Sequence, residues 1–329
     1  MTSPPADDWL IVDALELSRW DRELLLELRE GNVSCVHVTC AFWESARDTL
    51  SRLGQMLSLI RTNADLVTHV RSVADIENAR RSGRTGILLG FQNASPLEDD
   101  IELAGAFHAL GVRVVQLTYN NQNHVGSSCY ESADAGLSRF GRLVIGELNE
   151  LGMAIDLSHV GDRTSLEAIE LSQAPVAITH ANPRWFHDVP RNRPDDVLRA
   201  CAARGGVVGV CIYPLVLPEG AGCDWPQFRD MLLRLADQIG VEHVGIGTDF
   251  ARKQPAEFLA WLRAGRWTRQ PQDVGEPAWP EWLPTPAAFP QLAGRLLDAG
   301  FSDSEARGIM GENWLRFFRT VFQEEGACT

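Results

Sequence analysis

The chain has 329 residues, 45% of them hydrophobic, which is enough to bury a sizeable core. Its 30 basic and 44 acidic residues give a formal charge of −14 without any cluster of Lys or Arg, which excludes the electrostatic footprint of a nucleic-acid or anionic-membrane binder. No apolar run approaches ~20 residues, and the acidic start MTSPPADDWLIVDA is not a signal-peptide pattern, so we expect a cytoplasmic protein. The seven cysteines include no CxxC pair and favour reduced, structural thiols.

Short apolar runs alternate with helix-length segments along the chain. We expect eight of these runs to be buried strands, at residues 10–15, 35–40, 86–91, 112–119, 153–157, 176–179, 207–213 and 244–250. Residues 66–70 form an extra short strand outside this count. Apolar strands without alternation, separated by helices, predict a parallel (β/α)₈ TIM barrel built as a single domain from residues 1–329.

Two segments follow the last barrel strand. Residues 260–290 are rich in Trp and Pro and indicate an irregular excursion beside the barrel mouth. This excursion is either a surface insertion packed by its own tryptophans or a substrate lid. Helices over residues 290–299 and 302–322 then close the chain, the second opening with the capping sequence SDSE.

The carboxyl ends of barrel strands converge on one mouth, where TIM barrels place their catalytic groups. His159 and His180 follow the fifth and sixth strands at equivalent positions, so we expect them to meet. Two neutral imidazoles suit a Zn²⁺-like ion. Taken singly, each histidine is equally well explained as a hydrogen-bonded rim residue.

Asp249 and Arg191 are the charged candidates at the same mouth. Asp249 follows the eighth strand and could transfer a proton, orient a water or serve as a third ligand, or it could cap the following helix. Arg191, just beyond the sixth strand, could bind a substrate carboxylate through its planar guanidinium, or pair with Asp195 or Asp196.

Five segments carry a family resemblance: GELNELGMAIDLSHV, PVAITHA, RNRPDDVLRACAARGGVVGV, VGIGTDF and MGENWLRFF. With their spacing, they resemble the renal, or membrane, dipeptidase family of binuclear zinc (β/α)₈ barrels in the amidohydrolase-like group. The resemblance implies that His159 and His180 bind the second zinc. It further implies that Arg191 holds the substrate carboxylate and that Asp249 is catalytic.

The chain departs from this family at the first zinc. The family's His-x-Asp motif on the first strand aligns with DALEL, which places Leu15 and Leu17 at ligand positions, and its bridging glutamate aligns with Gln92. The family's LTHN aligns with LTYN, which places Tyr119 where a histidine contacts the reacting centre. Without a bridging carboxylate, the positive charge of two zinc ions would be almost uncompensated in a largely dry cavity, which is energetically costly. We therefore expect at most one zinc ion, with His159, His180 and Gln92 as candidate ligands, in a divergent bacterial branch of the family.

The resemblance implies a metallohydrolase that cleaves an amide bond in a small substrate bearing a carboxylate, such as a dipeptide or an N-acyl amino acid. Asp249 and Tyr119 are its catalytic candidates, and Arg191 and Asn120 its substrate-binding candidates. One alternative is a lyase, isomerase or decarboxylase with Tyr119 as the acid and Asp249 as the base. Another is a non-catalytic binder. The family also implies a homodimer, and we expect no nucleic-acid or membrane partner.

Overall fold

A parallel sheet of nine strands organises the molecule, as seen in a computed structural model that describes residues 8–265, 267, 269 and 275–322. The strand order is β1-β2-β4-β5-β6-β7-β8-β9, and β3 pairs with β4 outside this path. The strands are β1 (Val12–Glu16), β2 (Cys35–Thr39), β3 (Val67–Val70), β4 (Thr85–Phe91), β5 (Val114–Gln116), β6 (Ala154–Asp156), β7 (Ala177–Ile178), β8 (Val207–Val210) and β9 (Val244–Ile246).

The sheet closes where the chain after β9 meets β1. A parallel bridge joins Glu16 to Phe250, the Asp249 amide donates to the Leu15 carbonyl over 3.0 Å, and the Leu17 amide donates to the Phe250 carbonyl over 2.8 Å. Closure of the eight-strand path confirms the predicted TIM barrel. The extra short strand is confirmed as β3, which lies off that path.

Helices alternate with the strands and cover the barrel. They are α1 (Arg22–Glu30), α2 (Ala46–Thr62), α3 (Val73–Arg81), α4 (Glu102–Ala109), α5 (Arg139–Glu150), α6 (Asp162–Leu171), α7 (Asp195–Ala203), α8 (Trp225–Ile239), α9 (Ala256–Ala264), α10 (Phe289–Asp298), α11 (Asp303–Arg307) and α12 (Asn313–Val321). Capping boxes start α3, α8 and α11, where polar side chains bond the free amides of the first turn. Within the described ranges, no helix is long and apolar enough to cross a bilayer.

The C-terminal segment differs from the single helix that the sequence predicts. A π-helical turn, Gly308–Glu312, separates α11 from α12, and Gly311 leaves helical geometry within it. A Cβ atom on Gly311 would collide with the Leu10 carbonyl, so the break lets the backbone pass close to the start of β1. After the break, the Trp314 indole donates to the Ile246 carbonyl over 3.1 Å and packs beneath the barrel.

The segment after β9 also differs from prediction. The expected irregular excursion begins as a helix, because α9 extends to Ala264. Trp279 and Trp282 of this segment pack on other aromatic rings, Trp279 against Phe250 and Trp282 against Phe228. Residues 266, 268 and 270–274 of the expected excursion lie outside the described residues.

Helix α8 offers a direct test of how the outer layer holds the barrel. Leu235 is fully buried, whereas Leu233 on the same helix is 39% exposed. We expect Leu235→Ala to lower the free energy of unfolding by about 2–5 kcal/mol, through lost burial and a residual cavity, and Leu233→Ala to lower it by under about 1 kcal/mol. Urea denaturation of both variants measures the difference. Equal losses would contradict the observed packing of α8.

Candidate active site

Two buried aspartates hold the strand ends that carry the site. Asp13 of β1 accepts hydrogen bonds from the Thr248 amide at 2.8 Å and from its hydroxyl at 2.6 Å. Asp156 of β6 accepts from the Thr179 amide at 2.9 Å and from its hydroxyl at 2.6 Å. In both pairs, the threonine directly precedes a predicted site residue, Asp249 or His180. We call these pairs the Asp–Thr clamps.

His159 and His180 meet at the mouth. Their Nε2 atoms are 3.1 Å apart, and both residues are buried. Nδ1 of His159 lies 2.7 Å from the Asn120 amide oxygen, and Nδ1 of His180 lies 2.7 Å from the Thr179 hydroxyl oxygen. The sequence predicted these two histidines as one pair, and the structure places them together.

The hydrogen-bond partners fix which ring nitrogens carry hydrogen. With the Asn120 amide oriented as in the structure, its oxygen only accepts, so His159 donates from Nδ1. The Thr179 hydroxyl gives its hydrogen to Asp156, so His180 also donates from Nδ1. Both Nε2 atoms therefore present lone pairs to each other. The Gln92 amide nitrogen, 3.0 Å from Nε2 of His180, donates to one of these lone pairs in the observed orientation, and a cation between the two Nε2 atoms would stabilise both.

Electrostatics favours the neutral form of both imidazoles. Burial, followed by the positive charge of Arg191, holds the pKa of His159 well below its ordinary value. The same two causes lower the pKa of His180. Neutral imidazole is the form that ligates metal ions, so both rings are in the protonation state that metal binding requires.

Asp249 lies in a cavity of about 200 Å³ at the mouth. Its φ of 57° is in the left-handed region, and its Oδ1 atom is buried with no hydrogen-bond partner among the described residues. Burial raises the pKa of this carboxyl to about 7, and Arg191 offsets part of the effect. The alternative role as a helix cap does not hold, because the next helix, α9, begins at Ala256.

Arg191 is buried and lines the same cavity. Its guanidinium donates to the Ser158 carbonyl and, over 2.9 Å, to the His180 carbonyl. Among the described ion pairs it has no carboxylate partner, and Asp195 pairs with Arg199 instead. The alternative of a structural pair between Arg191 and Asp195 or Asp196 is therefore not what the structure shows.

The remaining predicted residues surround this centre. Tyr119 and Asn120 line the cavity, and the Tyr119 ring centroid is 4.3 Å from that of His159. Burial raises the pKa of Tyr119 well above its ordinary value, which keeps the phenol neutral.

Gln92 lies beside the histidine pair. Its amide nitrogen is 3.0 Å from Nε2 of His180, while its amide oxygen accepts a hydrogen bond from the Thr39 hydroxyl. Exchanging the two amide atoms would present the oxygen instead.

A binuclear metal centre does not fit this donor set. Leu15 and Leu17 are buried apolar residues at the end of β1, and no group of three His, Cys, Asp or Glu side chains in the described part of the chain could hold an ion. A single ion fits better, because the two Nε2 lone pairs converge. The Gln92 amide is the nearest further donor, and it brings no charge.

Sequence reasoning missed Arg263, which the structure places in the lining of the cavity. Leu259, Leu262 and Arg263 lie on one face of α9, three and four residues apart, and all three line the cavity. That spacing is visible in AEFLAWLRA, but the sequence does not show that this helix lies over the mouth.

Comparisons with known proteins decide the family. Residues 21–260 match the membrane dipeptidase family, peptidase family M19. The chain belongs to this family. The membrane dipeptidase family therefore accounts for the resemblance in the sequence, and it supports the predicted class of dipeptidase-like metallopeptidase.

Individual relatives agree with the family. Dipeptidase verJ of Clonostachys rogersoniana is 29% identical over 86% of this chain and 68% of its own length. Dipeptidase 3 of Mus musculus is 27% identical over 90% of this chain, which spans only 57% of the mouse protein. The chain is thus shorter than these curated dipeptidases.

Solved structures agree as well. An amidohydrolase from Pseudomonas aeruginosa is 38% identical, with a TM-score of 0.92 over 96% of this chain and 97% of the other. A metallo peptidase from Rhodobacter sphaeroides, bound to a phosphinate mimic of the dipeptide L-Ala-D-Ala, has a TM-score of 0.81 at 18% identity over 95% of this chain and 99% of its own. The second similarity shows the fold alone. The first extends over the whole barrel and supports a hydrolase.

The buried carboxyl of Asp249 predicts a dependence of stability on pH. Its pKa rises from 3.8 to about 7, so the folded protein retains a proton that the unfolded chain releases, and stability falls as the pH rises between these values. We expect Asp249→Asn to raise the free energy of unfolding at pH 8 by on the order of 2–4 kcal/mol, and by less at pH 5.

Urea denaturation at the two pH values measures this gain. Asparagine also tolerates the left-handed backbone at position 249. Asp230→Asn, at an exposed position of α8, is the matched control and should change stability little at either pH. A stability gain for Asp249→Asn that does not depend on pH would contradict a raised pKa.

Proposed function

We propose that the protein is a metallohydrolase that cleaves an amide bond in a small carboxylate-bearing substrate, with at most one zinc ion. The single observation that carries this proposal is the facing pair of Nε2 atoms of His159 and His180, 3.1 Å apart, beside a cavity lined by Asp249 and Arg191. Membership of the membrane dipeptidase family supports the reaction class.

The ion would be held by Nε2 of His159 and of His180, with the Gln92 amide beside them. A bound zinc ion lowers the pKa of a water ligand and polarises a carbonyl group. Each histidine is oriented from its other nitrogen, by Asn120 in one case and by Thr179 in the other, as is usual for metal-binding imidazoles. This support is the chain's own contribution to a metal site.

The chain's side chains divide the rest of the reaction. Asp249 takes a proton from the attacking water as the new C–O bond forms, and returns it to the nitrogen as the C–N bond breaks. A carboxyl with a pKa of about 7 is matched to this exchange near neutral pH. Arg191 binds the substrate carboxylate, Asn120 contributes to substrate binding, and neutral Tyr119 donates a hydrogen bond to the oxygen that gains negative charge.

No observation on the described residues favours a lyase, isomerase or decarboxylase, or a non-catalytic binder, over hydrolysis. Zinc as the natural ion, a cytoplasmic location, a bacterial origin and a homodimer stay predictions from the sequence.

The donor set predicts the metal content. Protein purified without chelators should contain no more than one equivalent of zinc, and His180→Ala should weaken zinc binding at least tenfold, because one of two converging nitrogens is lost. Metal analysis and calorimetric titration with zinc measure both values. His243→Ala, which removes a histidine distant from the mouth, is the control for binding.

Restoring the missing ligands tests the same point in the other direction. The combined change Leu15→His, Leu17→Asp and Gln92→Glu supplies the three side chains that the family's first zinc requires, and should raise the zinc content above one equivalent. Two equivalents of zinc in the unmodified protein would contradict the proposal that the site binds at most one ion.

The role of Asp249 predicts a pH profile. Because the carboxylate is the base, kcat/KM for hydrolysis should rise with pH to a plateau, with a midpoint above the ordinary pKa of an aspartate because the carboxyl is buried. Asp249→Asn should lower kcat by about 10²–10⁴-fold and abolish this limb. Steady-state kinetics between pH 5 and 9 test both statements, with Asp230→Asn as the control. An unchanged profile in Asp249→Asn would remove the aspartate from the mechanism.

A further inference from the structure

Helix α9 covers the cavity and brings a second arginine to it. Leu259, Leu262 and Arg263 occupy its inner face and line the cavity together with Arg191 and Asp249. The cavity is therefore lined by two guanidinium groups, one at the barrel mouth and one on the helix above it.

Arg263 has capacity to bind a ligand. One Nη atom donates to the Tyr213 hydroxyl over 2.6 Å, and the guanidinium carbon lies 5.7 Å from the centre of that ring. Its Nε atom is buried and donates to no acceptor in the described part of the chain. Arg263 is half-buried, and none of the ion pairs between described residues involves it. A buried N–H donor such as its Nε normally has an acceptor, so this donor is available to a ligand.

The cavity itself holds little negative charge to balance the two arginines. Asp249 is the single carboxylate among the described lining residues. It is also the proposed base, which must carry the reacting proton during turnover. The Arg191 guanidinium already donates to the carbonyl groups of Ser158 and His180, and these two hydrogen bonds fix its position in the cavity.

We propose that Arg263 binds a second carboxylate of the substrate, so that the preferred substrates are amides of acidic amino acids, with one carboxylate at Arg191 and the other at Arg263. This inference rests on the proposed function. The free Nε–H and an adjacent Nη–H form the fork that binds a carboxylate through two parallel hydrogen bonds. The Nη2 atom of this fork has two hydrogens, so it can donate one to the Tyr213 hydroxyl and the other to the carboxylate.

The size of the cavity limits the substrate. Its volume of about 200 Å³ is below the roughly 300–1,000 Å³ of typical drug-sized sites. Leu17, Leu259 and Leu262 supply an apolar part of the wall. The substrate class is therefore a small N-acyl or dipeptide derivative of aspartate or glutamate.

The test compares an acidic substrate with its isosteric amide. We would measure kcat/KM for N-acetylglutamate against N-acetylglutamine, and for alanylglutamate against alanylglutamine, with both configurations of the acidic residue. The unmodified protein should favour the acidic member at least tenfold. Arg263→Gln should lower this ratio by about 10–100-fold, and Arg263→Lys should lower it less because the charge remains.

Arg199→Gln is the matched control, since Arg199 is an exposed arginine on α7 whose partner is Asp195. It should leave the ratio unchanged. If Arg263→Gln lowers kcat/KM equally for the acidic and the amide substrates, the arginine has only a structural role and the proposal fails. Thermal denaturation of each variant identifies any that do not fold, and Arg263→Lys then carries the comparison.

Ligand binding separates this proposal from the proposed function. The stabilisation of Asp249→Asn by N-acetylglutamate and by N-acetylglutamine can be measured as shifts in Tm, without turnover. A larger shift with N-acetylglutamate that Arg263→Gln abolishes supports the second carboxylate site, even if no amide is hydrolysed. Equal shifts with the two ligands overturn it, even if hydrolysis is observed.

Discussion

The site depends on the Asp–Thr clamps. Asp13 and Asp156 each bond both the amide and the hydroxyl of a threonine that follows a neighbouring strand, and the next residue in the chain carries the chemistry. A buried carboxylate is costly without such bonds, so the strand ends are held in the one arrangement that supplies them. Burial still raises the pKa of Asp13 to about 6. His180 and Asp249 thus project from positions that four short hydrogen bonds define.

The residues that depart from the family pattern, Leu15, Leu17 and Gln92, agree with the charges of the residues that line the cavity. By the family resemblance, Leu15 and Leu17 stand where two ligands would be, and Gln92 stands where a carboxylate would bridge two ions. Without those ions the cavity retains the two imidazole lone pairs, a carboxyl with a raised pKa and cationic side chains. The described residues around the cavity thus lack the carboxylates that a pair of metal ions requires, and they keep two facing imidazole nitrogens beside cationic side chains.

The barrel, and the placing of His159, His180 and Asp249 together at its mouth, could be predicted from the sequence because both follow from local pattern. Unbroken apolar runs gave the strands, and equivalent positions after those strands gave His159, His180 and Asp249. Arg263 could not be predicted, because its role depends on where α9 lies relative to the mouth, which is a property of packing. The break at Gly311 was missed for a similar reason, since it is set by the close approach of Leu10. Alternatives for Asp249 and Arg191 were decided by their actual hydrogen-bond partners and by the start of α9.

The indole of Trp314 has a consequence for the order of folding. It sits beneath the barrel against Gly245 of β9, where a Cβ atom would lie 2.3 Å from the indole nitrogen, and close to Gly209 of β8. Strands β8 and β9, which are synthesised more than sixty residues earlier, therefore lack this packing partner until α12 has been synthesised. When the strands have left the ribosome but α12 has not, this end of the barrel is still uncovered. Packing of α12 beneath the strands, rather than completion of the sheet, is therefore the step that closes this end of the barrel.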